Sequence, residues 1–140
     1  MNIRRINILG FILLILLVFV SFYLFKRVFV PNLENEDISA VTMTMLESRN
    51  MEKTVTGRDD IKKFVFYFNA LELEYAFFGN DEQDWQMLVG LEGEKDGRIL
   101  ITLDRVRLNR SWYKTDPEDL ERVKNLFSEF DYPLTQIIAP

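Results

Sequence analysis

Between Ile6 and Phe25 the chain runs without a single charged residue, built almost wholly of Leu, Ile, Val and Phe, with Arg4 and Arg5 before it and Lys26 and Arg27 after it. At about 1.5 Å of helical rise per residue, such a run matches the roughly 30 Å hydrocarbon core of a bilayer. A helix that is apolar on every face needs lipid or a large protein interior around it, and the rest of the chain is too short to enclose it. The expected organisation is therefore a short amino-terminal stub (1–5), a transmembrane anchor (6–25), a linker (26–37) and one domain (38–140).

The competing reading is a cleaved secretory signal, which has a basic start, an apolar core of about 7 to 15 residues and small residues at the cleavage point. Only the first of these is met. The apolar run is longer, and it ends Ser21-Phe22-Tyr23-Leu24-Phe25 with no Ala-x-Ala pattern. A lipid-modified cysteine is excluded, because the chain contains no cysteine. Orientation follows from the flanking charges. The amino terminus with Arg4 and Arg5 outweighs Lys26 and Arg27, which places the amino terminus in the cytoplasm and the domain outside it.

With 140 residues in all, roughly 105 remain beyond the anchor and linker, enough for one compact domain. Of the 17 basic residues, four flank the apolar run, leaving 13 against 22 acidic ones downstream. Bulk electrostatics of that sign excludes a nucleic-acid binder and makes the domain stand off anionic headgroups. Cysteine and histidine are both absent. That removes disulfides, thiolate chemistry, zinc of the usual ligand types and the commonest neutral-pH general base. Stability must come from the apolar core, and no cofactor is expected.

Downstream of Pro31, alternating β-branched residues predict a strand over 38–46 and a second over 53–55. Thr56 reads as the N-cap of a helix whose buried stripe is Ile61, Phe64, Val65, Phe68 and Leu71, with Asp59 and Asp60 in its first turn. Four strands are expected over 72–78, 85–92, 98–104 and 106–114, with Lys95-Asp96-Gly97 as a hairpin signal. Asp116 as N-cap and Pro117 behind it open a last helix, with Leu120, Val123, Leu126, Phe127 and Phe130 inward and Pro133 ending it. The fold class is α+β, in the order ββαββββα. Short connections favour one antiparallel sheet with two helices packed on a single face, the other face being polar or bound to something.

Arg105 and Arg107 alternate on one expected strand, with Asn109, Arg110 and Lys114 near them, and form a candidate basic strip for phosphate or a polyanion. Cross-strand pairing with Glu72, Glu74, Glu92 and Glu94 explains the same residues without a ligand. Asp81, Glu82 and Asp84 offer oxygen ligands, yet their spacing lacks the alternating acids, glycine and closing glutamate of a calcium loop, so a solvated turn is the expectation and no metal is assigned. No carboxylate pair is marked by spacing. Ser39, Ser48, Ser111 and Ser128 have no histidine to activate them and no Ser-x-x-Lys pattern. Catalytic residues are therefore expected to be none. Phe66 is the one apolar side chain that the first helix cannot bury, lying beside Lys62, Lys63 and Asn69. On a tethered domain it is a candidate contact for a partner protein, a second copy or the bilayer, unless it is an ordinary exposed aromatic.

Lys53-Thr54-Val55-Thr56 leading into Asp60-Ile61-Lys62-Lys63, followed by strands and then Trp112-Tyr113-Lys114 before an acidic helix start, resembles a family of uncharacterised small extracytoplasmic domains of Gram-positive bacteria. Members follow a signal anchor or a lipoprotein signal. The resemblance covers about residues 38–130 through turn, cap and core residues, so it implies a fold and a location and no site. The expected function is a membrane-anchored, non-enzymatic domain that binds a partner protein as a sensor, accessory or envelope factor. The alternatives are an immunity or inhibitor protein that neutralises a basic toxin or enzyme by charge, and an envelope enzyme.

Overall fold

A computed structural model describes residues 3–28, 32–79, 84–94 and 96–137. The chain divides into two compact units, Met1–Pro31 and Asn32–Pro140. The first holds one helix, α1 (Ile3–Val28). Its 26 residues give a length of about 39 Å. Within it, Ile8–Phe25 is long and apolar enough to cross a membrane, with none of that stretch buried, a property a signal sequence shares.

The second unit is mixed α and β. Its strands are β1 (Ile38–Met45), β2 (Met51–Val55), β3 (Glu74–Ala76), β4 (Met87–Gly93), β5 (Gly97–Ile101), β6 (Arg105–Leu108), β7 (Ser111–Lys114) and β8 (Leu134–Gln136); its helices are α2 (Arg58–Asn69) and α3 (Pro117–Glu129). The strands form one antiparallel sheet in the order β3-β7-β6-β5-β4-β1-β2-β8. A short 3-10 turn, Leu46–Ser48, joins β1 to β2.

Side chains alternate along each strand, so one set of residues faces the core. Val41 and Met43, Met87 and Val89, Ile99 and Ile101, and Val106 and Leu108 are buried in a single cluster. Ile61, Phe64, Val65 and Phe68 of α2 and Leu120, Val123 and Leu126 of α3 join the same cluster. The core and the partly buried residues packed on it all lie between Leu33 and Tyr132.

The order differs from ββαββββα in two places. What read as one strand over 106–114 is a hairpin, β6 and β7, with Leu108 opposite Ser111 and a two-residue turn at Asn109 and Arg110. Asn109 sits at φ 56°, a left-handed conformation that asparagine tolerates better than most residues. Its amide donates to the Arg98 carbonyl at 3.0 Å, which holds the turn over β5. The second difference is β8, which follows Pro133 and pairs with β2.

Helix starts follow two rules. At α3, Asp116 accepts from the Glu118 amide at 2.8 Å, with Pro117 in the first turn. At α2 the N-cap is Gly57 and not Thr56, and no side chain caps it. The reason is tertiary. The Gly57 amide donates to the Tyr132 hydroxyl at 2.9 Å, and a Cβ on residue 57 would collide with that oxygen.

The Tyr132 hydroxyl in turn donates to Asp60 at 2.9 Å, tying the segment after α3 to the first turn of α2. That bond to a carboxylate raises the Tyr132 pKa, and burial raises that of Tyr113. Both phenols lose their protons more easily in the unfolded chain. The unfolded state therefore binds fewer protons above about pH 10, and stability must fall as pH rises from there through the folded-state values. Tyr132→Phe is expected to cost about 1 kcal/mol at neutral pH and to make the alkaline loss shallower, read from urea midpoints between pH 8 and 11. An unchanged midpoint at neutral pH would remove Tyr132 from this role.

Ahead of β1, residues 32–37 are fastened to α2. Asn69 presents its amide to Leu33 as a strand would, accepting from the Leu33 amide at 2.9 Å and donating to its carbonyl at 2.8 Å. Arg58 donates to the carbonyls of Asn35 and Ile38 at 3.0 and 2.9 Å. Asn69→Ala is expected to cost about 1 to 2 kcal/mol and to speed hydrogen exchange at Leu33. Unaltered exchange there would show the pairing to be unimportant.

Candidate interaction face

The residues that alternate with the core set define the opposite side of the sheet. One row across it reads Thr44, Leu88, Leu100, Arg107, Trp112 and Ala76, each opposite the next on adjacent strands. None of these belongs to the core cluster, although Leu100 and Thr44 are buried. The Arg107 guanidinium lies over the Trp112 ring, 5.7 Å from its centroid. Such stacking is worth about 0.5 to 1 kcal/mol at an exposed site and more where water is excluded.

After β3 the chain turns onto this face. Arg105 donates from Nη1 to the Phe78 carbonyl, and Gly79 lies so close to the Trp112 indole that a Cβ there would overlap the ring. The turn leaves two aromatic side chains in solvent, Phe77 at 59% and Phe78 at 81% exposure. Phe77 packs edge-on against Tyr75 at 5.8 Å, and Tyr75 against Tyr113 at 6.1 Å, so Phe77 is footed on the core side of the sheet edge.

The candidate basic strip is distributed over this region. Arg105 stands opposite Lys114, and Lys114 opposite Glu74. Asp104 approaches the Arg105 Nε at 3.8 Å. Arg107 is two pairs further along, on Trp112, and Arg110 is carried away by the hairpin turn. There Arg110 joins Thr42, Gly90, Glu92, Asp96 and Arg98 around a shallow depression of about 570 Å³. Basic and acidic groups alternate along this face.

Phe66 is 70% exposed on α2, with Tyr67 edge-on at 5.7 Å. It stands on a different element from Phe77 and Phe78. Of the acidic turn, Asp81 and Glu82 lie outside the described residues, and among the described residues no group of three or more carboxylates is arranged to hold a metal ion. Ser39 donates to the Glu92 carbonyl at 3.1 Å.

One buried cation was not among the residues that sequence pattern singles out. Lys124 on α3 is buried, donating to Gln86 Oε1 at 2.5 Å and to Glu121. It lines a hollow of about 320 Å³ with Glu47, Gln86, Glu121, Asn125 and Ser128. The readable signal was its place four residues after Leu120, in phase with the apolar stripe. A buried lysine with a carboxylate and an amide for partners is a satisfied structural cation.

Comparison with family models, with curated proteins and with solved structures returns no match. The functional reading therefore rests on geometry alone.

Proposed function

We propose that this chain is a single-span membrane protein, anchored through residues 6–25, whose domain lies outside the cytoplasm and binds a partner protein without catalysing a reaction. In this reading both helices pack on one face of the sheet and the other face receives the partner. The observation that carries it is the Arg107–Trp112 stack beside Leu100, with the Phe78 carbonyl held by Arg105 on the same face and the Phe78 side chain left in solvent. Tryptophan and arginine dominate the energetics of protein interfaces, and a pair already packed on a rigid sheet loses little entropy on binding. Its mixed charges suit a protein surface better than a polyanion.

The test is photo-crosslinking in intact cells with a benzophenone side chain at position 78, at position 66, or at Arg122 on the exposed side of α3. The expected result is one discrete adduct from position 78, lost in the Trp112→Ala background. An identical adduct pattern from all three positions would overturn the assignment. Protease added to the same cells should remove the domain, and full protection would reverse its orientation.

A further inference from the structure

The free edge of the sheet at β8 has a definable hydrogen-bonding pattern. Its register is Met51 opposite Gln136, Glu52 opposite Thr135 and Lys53 opposite Leu134, and the Ile137 amide donates to the Asn50 carbonyl at 2.8 Å. Opposed residues in an antiparallel ladder alternate between bonded and non-bonded pairs. Bonding at Ile137 therefore makes Thr135 and Glu52 a bonded pair and turns the amides and carbonyls of Leu134 and Gln136 away from β2. On that side no strand among the described residues pairs with β8.

Sheet edges are ordinarily blunted by charge, proline or a covering element. Here Leu134, Thr135, Gln136 and Ile137 are uncharged and exposed. Pro133 does not block the edge, because the amide it lacks would face β2.

We propose that two copies of this chain pair through β8, antiparallel about a two-fold axis at Thr135. The edge is complementary to itself: the Leu134 amide meets the Gln136 carbonyl of the second copy, the Gln136 amide meets the Leu134 carbonyl, and the axis repeats both. The occupant is a second copy because the chain beyond the anchor carries net negative charge, 22 acidic against 13 basic residues, and this neutral run is where two like-charged copies meet without opposed charges. Anchoring in one bilayer, which rests on the proposed function, raises the effective concentration that so short a ladder needs. The edge geometry itself is independent of that anchoring and of the Trp112 face.

The absence of cysteine gives a clean test. In the dimer the two Thr135 residues form a non-bonded pair with Cα atoms about 4.5 Å apart, within the span of a disulfide. Full-length Thr135→Cys in lipid bilayers, treated with a mild oxidant, is compared with Glu74→Cys on the opposite edge strand. Thr135→Cys should form disulfide-linked dimers at least tenfold faster. Adding Gln136→Pro should bring its rate down to that of Glu74→Cys. That proline removes an amide pointing to solvent in the single chain, so it is tolerated in the fold, and an unchanged circular dichroism spectrum verifies this. Thr135→Glu, which opposes two carboxylates across the axis, should shift the cysteine-free chain in detergent to monomer in sedimentation equilibrium. Equal crosslinking rates at the two edges, or a dimer untouched by Thr135→Glu, would overturn the proposal. Detergent and bilayer arms that both lack dimer reject the edge pairing, while the partner adduct at position 78 is scored separately.

Discussion

Replacing Gly93 by alanine is expected to destabilise the domain by about 3 kcal/mol, the upper end of what forced overpacking costs. Gly93 closes β4 opposite Ile38, the first residue of β1. A Cβ there would fall on the carbonyl oxygen of Asp37, with the Ile38 Cα only 3.1 Å away. The obstacle is backbone on both counts, so no side-chain rotation relieves it. Its φ of 157° is also one that residues with side chains rarely adopt. The same Asp37 oxygen accepts the Glu94 amide at 3.0 Å, so any shift that makes room breaks that bond and loosens the pairing of β1 with β4 at the centre of the sheet. The urea midpoint should fall with little change in slope. A midpoint equal to that of the parent would show that the two strands do not approach as described.

Lys53→Met is expected to cost about 2 to 3 kcal/mol, because a charged donor is lost and two carbonyls are left without it. Lys53 rises from β2 and places its Nζ at 2.6 Å from the Phe127 carbonyl and 2.9 Å from that of Phe130, 4.8 Å above the Phe127 ring. The last carbonyls of a helix have no partners within it and carry the negative end of its dipole. A cation fixed there satisfies both needs. Methionine keeps the stem and its packing, so the loss isolates the ammonium group. Exchange should speed in the last turn of α3 and in β8, since Leu134 is the pairing partner of Lys53. If stability holds in the variant, the helix end is being satisfied by water and the cap contributes nothing.

Much of this architecture was legible because it is written in local patterns. The apolar run over 6–25 is one helix, the stripes from Ile61 to Leu71 and from Leu120 to Phe130 are buried except for the half-buried Phe127, and Phe66 stands outside them as its helical phase required. The start of α3 also follows from sequence, since Asp116 and Pro117 act within their own turn.

The misreadings have tertiary causes. Gly57 displaces Thr56 as a cap because Tyr132, far along the chain, occupies the space a side chain would need. The short strand β8 has too few residues for a period, and what makes it a strand is pairing with β2, some eighty positions earlier. The hairpin at Asn109 did leave a trace: Val106 and Leu108 face the core and so does Tyr113, a spacing that breaks the two-residue period. The candidate face was only half readable. Arg105, Arg107 and Lys114 could be grouped from alternation, whereas the stacking of Arg107 on Trp112 depends on the reversal at Asn109, and the closeness of Gly79 to the indole depends on how the chain leaves β3.

The most direct test of the proposed anchored domain is the amino terminus of the protein recovered from alkaline carbonate-washed membranes. An uncleaved anchor predicts protein in the membrane pellet whose first residue lies upstream of Ile6. A terminus downstream of Phe25, or protein released into the wash, would contradict it.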